Sequence, residues 1–182
     1  MNKQITEEDS LILEGTQGTL LSMNQSGYYP KTTSQDCIAT SFLSSAGLSP
    51  KSCRDIYCVY RTYPIRVAGD SGDLTGSEIT FKEIAERAGL DQIPEEYTSV
   101  TDRKRRIFEW SEEEFLKSYR LNTPTKIAVT FLDYLSKSDY GETKYQNLSK
   151  TSKSFIERIE STVDCKVTVL KTGPKPSHVI TR

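Results

Sequence analysis

Four cations stand side by side at residues 103–106, within TSVTDRKRR, residues 98–106. In an extended segment alternate side chains face the same way, so Arg103 and Arg105 share one side. Two guanidinium forks placed like that can grip one small anionic substrate through paired N–H donors. Without a ligand, the same run is a solvated charge cluster. As a nucleic-acid surface it is poor, because no aromatic residues interleave with the cations and the chain is not basic.

Other segments carry groups suited to a ligand. In EGTQGT, residues 14–19, the side-chain amide of Gln17 can donate and accept together, which suits the edge of a purine or pyrimidine. A tight turn with a solvated glutamine fits equally. YYPKTTSQD, residues 28–36, sets hydroxyls, Thr33 among them, beside a helix start, where phosphate binds well; a capped turn is the alternative. TFLD, residues 130–133, places Asp133 at a strand end, able to accept two N–H bonds from a base edge such as guanine's, or to cap a helix. Nothing has the arrangement of a Ser/His/Asp or Cys/His triad. The four cysteines show no CxxC spacing, and the one histidine, His178, reads as a surface residue. No metal site is expected, and the cysteines read as reduced, structural thiols of a cytoplasmic protein.

The elements that must position these groups alternate. LILE, 11–14, reads as a buried strand closed by Gly15. Asp36 is placed to cap a helix over CIATSFLSSA, which Gly47 ends. IYCVYRTYPIRV, 56–67, reads as one long strand, and AGDSGDLTGSE as a flexible loop. Thr80 and Glu83 form a capping box with Ile79 and Ile84 as its staple; Ser111 and Glu114 repeat it with Trp110 and Phe115. KIAVTFLD, 126–133, is a core strand. Ser154 and Glu157 mark a third helix start, and KVTVLKTGP a last strand running into a turn. This order predicts an α/β fold with a mainly parallel sheet and flanking helices. Residues 1–10 form a polar lead, 11–182 a single α/β domain, and the Lys/Ser/Tyr stretch 136–153 a mobile insertion. Ligands of such sheets bind at the carboxyl ends of the strands, where Gln17, Arg66, Asp133 and KTGP, 171–174, collect.

Composition narrows the classes. A chain of 182 residues can bury a core, and a net charge of −1 gives no global attraction to nucleic acid or membrane. The acidic start MNKQITEEDS is not a signal peptide, and no run of about 18 apolar residues exists to span a membrane. A hydrophobic fraction of 35% is low, as expected of a chain that is rich in loops or lies against something else.

Taken together, LILEGTQGTLL, YYPKTTS, YRTYPIRVAGDSG, SVTDRKRR, TFLD and KTGP resemble, in order and spacing, the C-terminal half of adenylosuccinate synthetases. The similarity is nearest to the compact archaeal and phage branch, which includes the phage diaminopurine-pathway synthetases. The family joins aspartate to C6 of a 6-oxopurine nucleotide, after a nucleoside triphosphate phosphorylates the 6-oxygen. The resemblance implies that Gln17 contacts the purine nucleotide, that Thr33 binds its phosphate and that Val67 makes a backbone contact to its sugar. It implies that Ser99, Val100, Thr101, Asp102 and Arg103 form the aspartate loop, Thr101 and Arg103 on the carboxylates and Arg103 also at the nucleotide. Arg105 then faces the triphosphate. Phe131, Leu132 and Asp133 form the strand end that reads guanine, with Lys171, Thr172 and Gly173 as the turn beside that base. Arg106 is left as a surface charge.

Two positions depart from the family. Phe131 replaces the usual lysine, and its flat ring could stack on a base and either relax selectivity or shift it toward adenine. Asp102 replaces a glycine, adding negative charge and stiffness beside a dicarboxylate site. The family's phosphate loop, general-base aspartate, catalytic histidine and magnesium ligands belong to an N-terminal half, and no G-x-x-x-x-G-K occurs here. The implied partner is a P-loop half-synthetase or another protein. A higher oligomer stays open, as does a non-catalytic, regulatory nucleotide-binding role. Mg2+ is expected with the triphosphate in a complete complex, and no cofactor on this chain alone. IMP and a guanine nucleotide both remain open as acceptor.

Overall fold

Pro64 divides what reads as one strand. It offers no backbone N–H to a ladder, and the chain leaves one sheet before it and enters another after it. The computed structural model describes residues 11–98 and 102–182. The chain divides into two compact units, Met1–Cys53 and Arg54–Arg182.

In the first unit, the expected strand at 11–14 is absent. Leu11, Ile12 and Leu13 are exposed, and among the described residues no strand pairs with them. A helix does follow, α1 (Ala39–Ser45), and Gly47, with φ +69°, terminates it as expected. Its N-cap is Ile38, not Asp36. The Asp36 carboxylate instead accepts from the backbone N–H and side-chain amide of Asn24, at 2.7 and 2.9 Å. Those donors favour the charged form and hold its pKa below the ordinary value.

In the second unit, β1 (Tyr57–Arg61), β5 (Lys126–Thr130) and β6 (Val167–Lys171) run parallel, and β7 (Val179–Thr181) closes the order β1-β5-β6-β7 antiparallel to β6. A second, antiparallel sheet has the order β2-β4-β3, from β2 (Ile65–Val67), β3 (Glu78–Ile79) and β4 (Arg105–Phe108). The Arg/Lys run is therefore partly a strand. Ile127, Val129, Leu132, Ile156, Ile159 and Leu170 centre the larger core, each worth roughly 1.5–3 kcal/mol on burial. Tyr63, Ile79, Phe81, Ile84 and Ile107 form the smaller one.

The two N-terminal helix devices differ in outcome. At α2 (Phe81–Ala88) both legs of the Thr80–Glu83 box form, and Ile79 and Ile84 are buried. At α3 (Glu112–Asn122) Ser111 caps the helix, and Trp110 packs on Phe115 with centroids 5.2 Å apart. Glu114 does not complete a box there. It turns to accept from the Thr75 N–H, at 2.9 Å. The last helix, α4 (Lys150–Thr162), begins at Ser149, five residues before the expected cap at Ser154. The cause is Asp139, fully buried, which accepts from the Ser149 N–H, the Ser149 hydroxyl and the Ser152 hydroxyl at 2.6–2.7 Å. Residues 136–153 thus carry two 3-10 turns, Lys137–Asp139 and Tyr145–Asn147, and the start of α4.

Candidate functional site

The parallel strands β1, β5 and β6 end on the same edge, at Arg61, Thr130 and Lys171. The backbone after β5 turns sharply. Phe131 has φ +64°, a left-handed conformation that costs an ordinary residue about 1–2 kcal/mol. Thr62 holds it there, donating its hydroxyl to the Phe131 carbonyl at 2.8 Å. Leu132 is fully buried and anchors the turn from below.

This turn sets out Asp133. Its Oδ1 is buried and has no hydrogen-bond partner. Desolvation pushes the carboxyl above its ordinary pKa of 3.8, while its own backbone N–H and the nearby His178 and Arg61 pull the other way. A buried acceptor lacking donors matches a ligand edge that brings N–H groups.

Phe131 does not present a bare ring. The Arg61 guanidinium lies over it, 3.6 Å from the centroid, and Tyr134 meets it edge-on at 5.0 Å. Arg61 donates to the Tyr63 carbonyl at 3.2 Å and to Glu96 at 2.6 Å. Glu96 also accepts from Arg105 at 3.3 Å and from the Tyr134 hydroxyl at 3.1 Å. Arg105 is thus tied to the Phe131–Asp133 turn through one carboxylate.

His178, whose charge acts on Asp133, belongs to the turn after β6. Thr172 is fully buried, its hydroxyl donating to the Glu142 carbonyl at 2.8 Å and its N–H to the His178 carbonyl at 3.1 Å. The ammonium of Lys171 donates to the Lys175 carbonyl. Glycine at 173 leaves room for the His178 ring: a Cβ there would lie 2.5 Å from Nδ1 and force a shift. His178 is not the surface residue expected. It is half-buried, its Nδ1 is enclosed without a partner, and its ring meets Tyr140 edge-on at 5.3 Å. The fold therefore collects Arg105, Phe131, Leu132, Asp133 and the 171–173 turn.

The loop expected to take aspartate is described at its flanks; Ser99, Val100 and Thr101 lie outside the described residues. Residues 96–98 and 103–105 form a hairpin, through the Tyr97–Lys104 bridge and N–H bonds from Thr98 to the Arg103 carbonyl and from Arg105 to that of Glu96. Asp102 has φ +47°, a conformation that favours glycine. Arg103 is exposed, and among the described residues its guanidinium makes no ion pair.

Arg106 is no free surface charge. Its guanidinium binds Glu78 through two nitrogens, at 2.9 and 2.5 Å, pairs with Asp73, and donates to the Gly72 carbonyl at 2.9 Å. Buried Arg66 donates to the Ser71 carbonyl at 2.6 Å. Two arginines therefore pin the loop that reads as flexible. Val67 pairs with Arg105 across β2 and β4.

Gln17 and Thr33 belong to the first unit. Gln17 is exposed with φ +71°. The Thr33 hydroxyl lies within 3.0 Å of the Leu21 carbonyl and 2.8 Å of the Gln35 carbonyl, so its one proton already serves the backbone. All four cysteines are free thiols, and burial pushes Cys58 up to about 11. Among the described residues no His/Cys/Asp/Glu cluster could hold a metal, and no helix is long and apolar enough to cross a membrane.

The sequence does not single out Arg61, Glu96 or Tyr134, and His178 reads there as a surface residue. The signal available for His178 was its place directly before the short apolar run VIT, strand β7.

The family model for adenylosuccinate synthetase matches residues 1–142. Adenylosuccinate synthetase of Methanococcus maripaludis is 39% identical over 180 residues, 99% of this chain and 51% of that protein. The Thermococcus onnurineus enzyme is 40% identical over 183 residues, 100% of this chain and 51% of its own. The cyanophage S-2L succinoaminodeoxyadenylate synthetase, solved with dGMP and with dATP as an energy donor, aligns with a TM-score of 0.67 at 28% identity, over 92% of this chain and 45% of that one. Fully ligated adenylosuccinate synthetase from Plasmodium falciparum shares the fold, with a TM-score of 0.79 at 19% identity, over 93% and 49%. The chain spans about half the length of these relatives. It belongs to the adenylosuccinate synthetase family.

Proposed function

We propose that this chain is the nucleotide- and aspartate-binding half of an adenylosuccinate synthetase-like ligase. It joins L-aspartate to a 6-oxopurine nucleotide, IMP or a guanine nucleotide, with hydrolysis of a nucleoside triphosphate. The P-loop, the general base and the magnesium ligands come from another polypeptide or another segment. Asp133 and the 171–173 turn hold the base of the triphosphate, Arg105 faces its phosphates, and Arg103 with the 99–102 loop takes the aspartate. Gln17, Thr33 and Val67 serve the acceptor nucleotide, and Mg2+ arrives with the triphosphate.

The observation that supports this reading is the buried, donorless Asp133 Oδ1 just past the carboxyl end of β5, with Arg105 tied through Glu96 to Arg61 at the end of β1 and Gly173 just past the end of β6. Electrostatic stabilisation of a transferring phosphoryl group needs a phosphate loop and its metal ion, so turnover is expected only with the N-terminal half present. The test mixes this chain with the N-terminal polypeptide of a relative and measures phosphate release with aspartate and IMP or dGMP. A stable complex without turnover would sink the ligase reading.

A second reading is a non-catalytic purine-nucleotide-binding protein. Asp102 favours it, because it sets a carboxylate on a strained backbone inside the aspartate loop. Calorimetry separates the two. Tight purine-nucleotide binding by the chain alone, with no turnover in the mixture, selects the second.

A further inference from the structure

One carboxylate joins the two sides of the triphosphate site. Glu96 is largely buried, with 13% of its side chain exposed. Its Oε1 accepts from Arg61 and from the Tyr134 hydroxyl, and its Oε2 from Arg105. Its carbonyl also accepts the Arg105 N–H at 2.8 Å, so Arg105 is held at backbone and side chain together. Arg61, gripped at its other end by the Tyr63 carbonyl, lies flat on Phe131. Among the described residues the Arg105 guanidinium makes no other hydrogen bond, which leaves most of its five N–H donors for a ligand.

We propose that Glu96 is a positioning residue for nucleoside triphosphate binding. The inference rests on the reading above, in which Arg105 faces the phosphates. Two guanidinium groups that share one carboxylate repel each other, and without it Arg105, which has no other side-chain partner among the described residues, would turn toward water. Glu96 keeps both in place before the nucleotide arrives, Arg105 for the phosphates and Arg61 as the clamp that sets the Phe131 ring beside the base. Two cations around one anion leave one positive charge over, which suits a polyanionic ligand. Affinity gained by such pre-organisation comes from side-chain ordering already done in the free protein. A carboxylate that served only to stabilise the 96–105 hairpin would have no selective effect on one ligand.

The experiment titrates the full chain, mixed with the N-terminal polypeptide, with GTP, ATP and IMP by calorimetry. Glu96→Gln keeps the shape and removes the charge. It should weaken GTP and ATP by about 10- to 100-fold, the range of one or two charge-assisted hydrogen bonds, and leave IMP affinity within about twofold. Glu96→Asp keeps the charge but cannot span both guanidinium groups, and should fall between; it carries the comparison alone where Glu96→Gln fails to fold. Arg105→Ala separates the two levels of the argument. Weakened triphosphate binding in Arg105→Ala with none in either Glu96 variant overturns the positioning role and leaves the proposed function standing. Unchanged triphosphate binding in Arg105→Ala, or none by the unsubstituted mixture, overturns the assignment of Arg105 and this inference with it. Equal loss for GTP, ATP and IMP in the Glu96 variants also overturns it, since that is the mark of a structural residue.

Discussion

Asp133→Asn should make the free protein more stable at neutral pH. The Asp133 Oδ1 is buried without a donor, and desolvation is the largest influence on its pKa. An unsatisfied buried polar group costs about 1–3 kcal/mol. Here the cost sits near the lower end, about 1 kcal/mol, because the group is half-buried and the Arg61 charge offsets part of it. For a chain of this size that is a rise in Tm of roughly 2–4 °C. The sign with pH follows from linkage. A carboxyl whose folded pKa is raised favours the fold when protonated; that contribution is present at low pH and lost as pH rises through the raised pKa. The gain of Asp133→Asn over the parent should therefore be greatest at neutral pH, fall as pH drops through the raised pKa, and vanish below the ordinary carboxylate range, where the folded and unfolded parent are both protonated. Thermal melts of both proteins across this range measure it. Guanine nucleotide should reverse the order: at about 100 times its Kd a ligand adds roughly 2.7 kcal/mol, and the variant should gain clearly less. A variant that melts below the parent at pH 7 without nucleotide refutes the reasoning, because Asp133 would then have a stabilising partner.

Arg106→Ala should lower stability by about 1–2 kcal/mol, since it cuts a two-nitrogen grip on Glu78, the Asp73 pair and the Gly72 carbonyl, though its acidic partners are partly exposed. The loop at 69–77 should become a preferred site of limited proteolysis, and an unchanged cleavage pattern and Tm would show that the loop holds itself. Gly173→Ala drives a methyl group onto His178 Nδ1 and should cost about 1–3 kcal/mol. His178→Ala in the same chain should recover most of that loss; purely additive effects in the double-mutant cycle count against the contact.

Much of the fold was legible because it is written locally. The Thr80–Glu83 box, the Ser111 cap and the Gly47 stop each need only a few neighbouring residues, and each formed. KIAVT is apolar and β-branched over a short run, and it is the central strand β5. What failed depended on distant partners. LILE has a strand's composition but no strand beside it among the described residues. Ser154 has a cap's sequence, but Asp139 from outside that window fixes the start at Ser149. The candidate site shows the same division. Asp133 and Gly173 stand in motifs that can be read in order, whereas Glu96 matters because Arg61 and Tyr134, 35 and 38 positions away, reach it in space.

Backbone strain gives an independent view of where this chain departs from what folding alone would choose. Among the described residues four non-glycine positions have positive φ: Gln17, Asp102, Thr123 and Phe131. Thr123 is the C-cap of α3, where a left-handed residue ends a helix and needs no further reason. The other three lie in segments that the sequence links to a ligand, each in a loop. Asparagine and aspartate tolerate this region better than most residues, but a phenylalanine does so only when its surroundings hold it. At Phe131 those surroundings are visible: the Thr62 hydroxyl on its carbonyl, Arg61 on its ring and buried Leu132 beyond it. A glycine in its place would relieve the backbone and lose the surface on which Arg61 lies. The cost at this turn is thus tied to the same contacts that set Arg61, and through Glu96 set Arg105, so the strain and the arrangement of charges at the strand ends have one structural cause.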